Sequence, residues 1–428
     1  MKTTPATLKI GTTMAFIILL FRLTNADANQ PNDSIVNYIN NCQYTKALNL
    51  IHKSLSNNNH TKQLYLLMGN AYRGLYRFTD AIDAYKKVLT KDTTDVRTII
   101  EIANTYKQIP DYENALCYYT LASQCDTANV AFQFEKTNCK FLLDQYPIAL
   151  TEYEKLYSKD TSNLFLIKQI AMCYYKTGQN DSSILYYYKA LKENPYDAAS
   201  VSNICNLLYP KLAYGEGIQL TEAYRQLDST NAKINSLNAY FYLLNDQYRI
   251  AINKFHSCME KKDTSRFIFK NIGIAYFHAL SYDTAKFYLE KAYFLDTTDV
   301  TNLHFLGLAC SKSYYKKLGI EYLEKAIGLY DPTLSKLANL YLNASNACDA
   351  WSNCSADKKI AINQNAIFYN PQENNLLYKL ASAYDNKKDP KKALELYTQY
   401  LNTFPAKRDK GQDYLYEQTK KRIEKIQK

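Results

Sequence analysis

Met68-Gly69-Asn70-Ala71-Tyr72 is followed by Ala81-Ile82-Asp83-Ala84-Tyr85-Lys86-Lys87-Val88, and this pair of segments returns along the chain every 34 residues. The register is carried by Ala47, Ala81, Ala115, Ala149, Ser183, Gly217, Ala251, Ala285 and Gly319, with no insertion between them. After one slip it resumes at Lys359 and Ala393. A 34-residue period belongs to a helical hairpin stacked many times over.

Other columns keep the same register. Twelve residues before the anchor stand Gly69, Ala103, Thr137, Ala171, Cys205, Ala239, Gly273, Gly307 and Ala381. Nine before it are Tyr72, Tyr106, Tyr174, Tyr242, Tyr276 and Tyr384. Four after it come Tyr85, Tyr119, Tyr153, Tyr187, Phe255, Leu289, Leu323 and Tyr397. Offsets of three, four and seven put such residues on one stripe of a helix. Small side chains let two helices approach, and rings fill the grooves beside them. Most of the 41 tyrosines are therefore expected to be structural. Helix starts are marked by Pro195, Pro332, Pro371 and Pro405, or by Asp92-Thr93, Asp126-Thr127, Asp160-Thr161, Asp228-Ser229 and Asp296-Thr297 in their place. Proline fixes φ, and Asp or Thr is expected to cap free N–H groups.

The segments Met68–Tyr72, Ala81–Val88 and Lys189-Ala190-Leu191-Lys192-Glu193-Asn194-Pro195 resemble the tetratricopeptide repeat family residue by residue, and the resemblance covers Ser34 to Pro405. It weakens around Gly217, where Pro210 interrupts, and around Leu337–Tyr341. What it implies is an all-α, right-handed superhelical solenoid of about eleven 34-residue helix-turn-helix repeats, closed by a C-terminal capping helix. The expected organisation is a signal peptide over 1–28, the repeat array over 29–405 with an inserted loop at about 342–357, and a basic capping helix over 406–428.

Lys2 and Lys9 precede the apolar run Ile10–Phe21, and Ala26-Asp27-Ala28 supplies a small-residue cleavage site. That order reads as a secretory signal ending before Asn29. The run is shorter than the roughly 20 residues that span a bilayer. Arg22 just behind it leaves an uncleaved membrane anchor as the alternative. Export follows, to the periplasm or cell envelope of a bacterium or through a eukaryotic secretory route, with the Lys/Asn/Tyr-rich composition resembling an AT-rich bacterial genome. In an oxidising compartment ten cysteines need an account. Cys139, Cys173, Cys205, Cys258 and Cys310 fall in the packed stripes as small hydrophobes, while Cys348 and Cys354 are candidates for a local disulfide in the inserted loop.

The net charge of +11 becomes +9 once Lys2, Lys9, Arg22 and Asp27 are removed. From 406 onward, Lys407, Arg408, Lys410, Lys420, Lys421, Arg422, Lys425 and Lys428 face four acids. This end reads as a solvated cap or as a contact for anionic lipid or glycan at an envelope surface.

Nothing suggests an enzyme. His52, His60, His256, His278 and His304 have neither metal-ligand spacing nor a nucleophile motif, and Gly215 and Gly217 lack the Lys-Ser or Lys-Thr of a phosphate loop. No metal or cofactor is expected, nor is a nucleic-acid partner, since basic residues do not alternate with aromatics. What remains is the groove lined by the first helices. Eleven before the anchor that column reads Asn70, Asn104, Asn138, Met172, Asn206, Tyr240, Ile274 and Leu308. A carboxamide matches a peptide amide in donors and acceptors, and the resemblance implies that such asparagines hold an extended peptide. The family's lysine clamp for a C-terminal carboxylate is not reproduced by Lys107, Lys168 and Lys270. The candidate site is Asn70, Arg73, Asn104, Lys107, Asn138, Phe141, Tyr175, Asn206 and Tyr240. The partner would be a protein or extended peptide. The alternative is a carbohydrate- or cell-wall-binding accessory that uses Phe134, Phe141, Tyr175, Tyr209, Tyr240, Phe267 and Phe277.

Overall fold

The computed structural model describes residues 30–57, 59–330 and 336–428. The expected signal segment, its cleavage site before Asn29, and Pro332 lie outside them. The described residues are helical, with no strand among them. None of their helices is long and apolar enough to cross a membrane. The chain forms two compact units, one ending at Gln179 and the other running from Asn180 to Lys428.

The first unit holds α1 (Gln30–Asn40), α2 (Tyr44–Ser56), α3 (Lys62–Gly74), α4 (Phe78–Leu89), α5 (Val96–Gln108), α6 (Tyr112–Cys125), α7 (Val130–Leu142), α8 (Tyr146–Tyr157) and α9 (Leu164–Lys176). The second begins with α10 (Asn180–Glu193), α11 (Ala198–Leu208), α12 (Tyr214–Leu227), α13 (Ala232–Leu244), α14 (Tyr248–Glu260), α15 (Arg266–His278) and α16 (Tyr282–Leu295). It continues with α17 (Val300–Lys312), α18 (Lys316–Gly328), α19 (Lys336–Ala350), α20 (Ala356–Tyr369), α21 (Asn375–Asn386), α22 (Pro390–Leu401) and α23 (Lys410–Gln427). In chain order these are eleven helix pairs and a last helix.

Sterics explain the repeat. Ala47, Ala81, Ala115, Ala149, Ser183, Ala251, Ala285 and Ala393 are all fully buried. A methyl group on Gly69 would collide with the Tyr85 ring, so at this hairpin the ring sits closer to the first helix than a side chain would allow. Tyr85, Tyr119, Tyr153 and Tyr187 fill the space that the small residues leave.

Nine of the eleven hairpins bend through one residue of positive φ, and the α17–α18 and α19–α20 connections have none. Tyr76 (φ 60°), Asp144 (59°), Leu212 (57°), Asp246 (58°) and Leu280 (63°) stand 34 or 68 residues apart, and Gly178 (78°) shares their register. The hydrogen bonds are the same from hairpin to hairpin. Tyr76 N–H donates to Arg73 O and Arg77 N–H to Tyr72 O; Leu280 N–H donates to Phe277 O and Ser281 N–H to Tyr276 O. These bonds satisfy the last carbonyls of the first helix, a closure that glycine makes with least strain.

Two expectations need correction. The Asp-Thr and Asp-Ser pairs do not cap the next helix. Asp92, Asp160, Asp228 and Asp296 accept from the backbone N–H two residues on, forming turns in the linkers. The caps come three residues later, where Asn163, Asn231 and Asp299 accept from Leu166, Ile234 and Asn302 N–H at 3.2, 3.1 and 3.0 Å. The inserted loop expected over 342–357 is also mostly helix: α19 continues to Ala350, leaving 351–355. Its sequence looks polar, but Leu340, Ala344, Ala347 and Cys348 make a buried stripe that holds the helix. Cys348 therefore lies on a helix, and it is joined to Cys354 across a Cα–Cα distance of 5.6 Å.

At the other end, Asp409 and Gln412 form a capping box on α23. Arg422 Nε donates to Asp385 at 2.6 Å and Arg408 Nε to Asp413 at 2.8 Å. The Arg408 guanidinium also lies 3.9 Å from the Tyr416 ring centroid.

Candidate functional site

The first helices of the hairpins place the expected site residues, and in the first unit they are already engaged. Asn70 Oδ1 accepts from the Tyr85 hydroxyl at 2.7 Å, and Asn104 Oδ1 accepts from Tyr119 at 2.6 Å. The oxygens point inward to the seam, so these amides can donate to a peptide carbonyl but cannot also offer that oxygen freely to a peptide N–H. This corrects the expectation of a free amide ladder. The corresponding Tyr153 hydroxyl is buried with no partner, Asn138 making no bond to it. Asn206 is exposed.

Tyr85, Tyr119 and Tyr153 each stand fifteen residues after an asparagine, but Tyr187 stands fifteen after Met172, so the tyrosine alone does not account for the column. Where the second helix presents Phe255, Leu289 or Leu323, the opposite residue is Tyr240, Ile274 or Leu308. A buried hydroxyl needs an acceptor and a buried hydrocarbon does not. Burial pushes the Tyr85 and Tyr119 hydroxyls well above the usual tyrosine range, which keeps them neutral donors.

Arg73 is ion-paired with Glu101, and Lys107 Nζ lies 2.6 Å from Glu135. Both pairs tie one first helix to the next. Phe141 packs edge-on against Tyr146 at 5.2 Å, Phe134 meets Phe165 at 5.0 Å, and Tyr175 is half exposed. In the second unit Tyr240 sits between two neighbours. Its ring lies 6.0 Å from Tyr209 and 5.4 Å from Phe267, giving one aromatic residue on each of three successive hairpins. Tyr209 is 47% and Phe267 37% exposed. Burial drives the Tyr240 hydroxyl far above its ordinary range, with the Tyr209 contact adding to it.

The helix-stripe thiols are inert. Burial pushes Cys173, Cys205 and Cys310 up to about 12 and Cys139 up to about 11, so none ionises near neutral pH. Among the described residues no cluster of His, Cys, Asp and Glu could hold a metal ion.

Two places depart from the apolar seam, and the small-residue and aromatic columns gave no sign of either. Sixteen and thirteen residues before the anchor, α5, α9 and α17 bury Ile99 and Ile102, Ile167 and Ile170, Leu303 and Leu306. At these positions α7 carries Gln133 and Lys136, and α13 carries Asn235 and Asn238. The signal was present as a break in an apolar column.

The recurring unit defines an array of antiparallel helical hairpins. Residues 169–197 and 375–406 match the family model for the tetratricopeptide repeat. The chain is similar to the tetratricopeptide repeat family in these two stretches and in its succession of helix pairs. Among solved structures it is similar to the C-terminal part of a TPR repeat-containing protein from Cytophaga hutchinsonii, at 19% identity over 58% of this chain and 99% of that one, with a TM-score of 0.46. It is similar to a tetratricopeptide repeat protein from Parabacteroides merdae at 15% identity over 58% and 98%, with a TM-score of 0.45. A third is YrrB, described as a TPR protein with an unusual peptide-binding site, at 20% identity over 47% and 97%, with a TM-score of 0.38. No curated protein matches the sequence.

Proposed function

We propose that this chain is a non-enzymatic scaffold, exported to the periplasm or cell envelope, that holds an extended segment of a partner protein along its first helices. The observation that carries the reading is the row Tyr209, Tyr240 and Phe267. Three rings on successive hairpins, two of them open to solvent, offer anchor points for alternate side chains of an extended peptide. The Asn70 and Asn104 amides, with their oxygens engaged, add only donors.

The carbohydrate reading uses the same rings. Against it, Tyr209 and Tyr240 stack on each other at an interplanar angle of 30°, so part of each face that a sugar would need is covered. The basic residues of α23 that make no inward contact, such as Lys421 and Lys425, remain available for an anionic envelope surface.

The test is recovery of partners from envelope extract with the wild type and with a Tyr209→Ala, Phe267→Ala double variant, beside a glycan array. Both side chains are partly exposed, so the fold should survive the change. A protein retained by the wild type and lost by the variant is the expected result. If the variant keeps every partner, the row is not the contact, and glycan binding that follows the rings would establish the sugar reading instead. Mass spectrometry of the exported protein should find a chain beginning at Asn29.

A further inference from the structure

The polar break in α7 opens into a pocket of about 270 Å³ between α6, α7 and α8, lined by Ser123, Thr127, Gln133, Lys136, Lys155 and Lys159. Three features set it apart. Lys136 occupies a position that is fully buried isoleucine in the hairpins on either side, Ile102 and Ile170. A stack held together by apolar burial has given up an apolar side chain here for a cation. Secondly, the side-chain ammonium groups of Lys136, Lys155 and Lys159 make no ion pair or hydrogen bond with any described residue. Thirdly, Glu152, the carboxylate in the wall, is already neutralised: Lys140 Nζ lies 2.6 Å away and Thr137 Oγ1 donates to it at 3.1 Å.

Three unpaired ammonium groups around one opening repel one another, and an anion placed among them relieves that repulsion. Ser123 and Thr127 add hydroxyls at the rim. Their own bonds are local: Ser123 donates to Thr120 O at 2.8 Å, and Thr127 O accepts from Gln133 Nε2 at 3.1 Å. The Thr127 hydroxyl makes no bond to the protein.

We propose that this pocket binds the dianionic phosphate group of a small phosphate monoester. Phosphate presents tetrahedrally arranged acceptor oxygens, which suit donors arriving from several sides of a pocket, whereas a carboxylate presents two oxygens in one plane. The volume leaves room for the polar body of the ester beside the phosphate. The site lies within the first unit and uses none of the rings assigned to partner binding.

The full chain is titrated calorimetrically with inorganic phosphate, O-phosphoserine and glucose 6-phosphate, with serine and glucose as controls at matched ionic strength. Binding of the phosphate compounds and not of the controls is expected. A Lys155→Ala, Lys159→Ala double variant should bind at least about tenfold more weakly with an unchanged melting temperature, because both side chains are exposed. Lys136→Ile, which restores the column, should lose binding while melting higher. The proposal falls if neither ester binds at about 10 mM, where even a weak site would register. It also falls if the double variant binds as tightly as the wild type. Binding of inorganic phosphate alone, with both esters rejected, overturns the monoester assignment.

Discussion

The α7 and α13 hairpins break the same two apolar columns with polar residues, and they resolve the break in opposite ways. In the α13 hairpin the network closes. Arg225 Nε donates to Asn235 Oδ1 at 2.8 Å, Asn235 Nδ2 to Ser229 O at 2.9 Å, and Asn238 Nδ2 to Thr221 Oγ1 at 2.9 Å. Glu222 joins Arg225 at 2.8 Å and also pairs with Lys254, and the space left among these groups is about 10 Å³. In the α7 hairpin one carboxylate is satisfied and three lysines are not, around about 270 Å³. A buried polar network whose members are all bonded specifies a packing. In the α7 hairpin the charges are not buried: Lys155 and Lys159 are exposed and Lys136 half-buried at the opening, which leaves them free for a ligand.

The largest effect that would break this contrast is expected at Arg225. Arg225→Ala strips partners from Asn235 and Glu222 together and should cost about 2–3 kcal/mol, since buried groups are left unsatisfied. Chemical denaturation followed by circular dichroism measures it; a loss below about 0.5 kcal/mol would mean that the closed network is not structural. The opposite sign is expected in the α7 hairpin. Lys136→Ile should raise stability by about 1–2 kcal/mol, the gain from burying an aliphatic side chain less incomplete packing. A destabilised Lys136→Ile would show that the lysine is part of the architecture after all.

Next comes the amide–hydroxyl seam. Asn70→Ala should cost about 1 kcal/mol by orphaning the Tyr85 hydroxyl, partly offset by alanine's better helix propensity. Adding Tyr85→Phe should recover most of the loss, and a double-mutant cycle with zero coupling would refute the pairing. The smallest effect is in the acid range. Burial alone would raise the Glu222 carboxyl, but the Lys254 hydrogen bond and charge outweigh it and hold the group below its ordinary 4.5. A carboxyl depressed in the fold adds stability above the unfolded value and loses it as pH falls through the folded one. The wild type should therefore weaken more than Glu222→Gln as pH drops below about 4.5, compared by melting temperature across a pH series. Parallel profiles would remove Glu222 from the network.

The hairpin array was legible because its demand is steric. A helix seam admits only small residues, and a period of 34 records where the seams fall. The candidate site was less legible because one letter serves two purposes. Asn70 and Asn104 fit a groove ladder by position, and only the tyrosine fifteen residues on, read against them, shows where their oxygens point. Lys136 was visible as a lysine in an isoleucine column, but columns chosen for small and aromatic residues pass over it. The extent of α19 was hidden by asparagine and serine, whose polarity suggests a loop while the stripe from Leu340 to Cys348 holds a helix.

The left-handed hairpin turns carry a consequence for how this protein is recognised. Glycine is the residue that suits such a turn, yet Tyr76, Leu212 and Leu280 hold the same bend with bulky side chains, at a cost of roughly 1–2 kcal/mol each. Of the two segments that match the family model, 169–197 has Gly178 at this turn and 375–406 has Lys388 at φ 64°. The bend is therefore set by the packed helices on either side rather than by the residue at the turn, so the letter at a turn says little about whether a hairpin forms there.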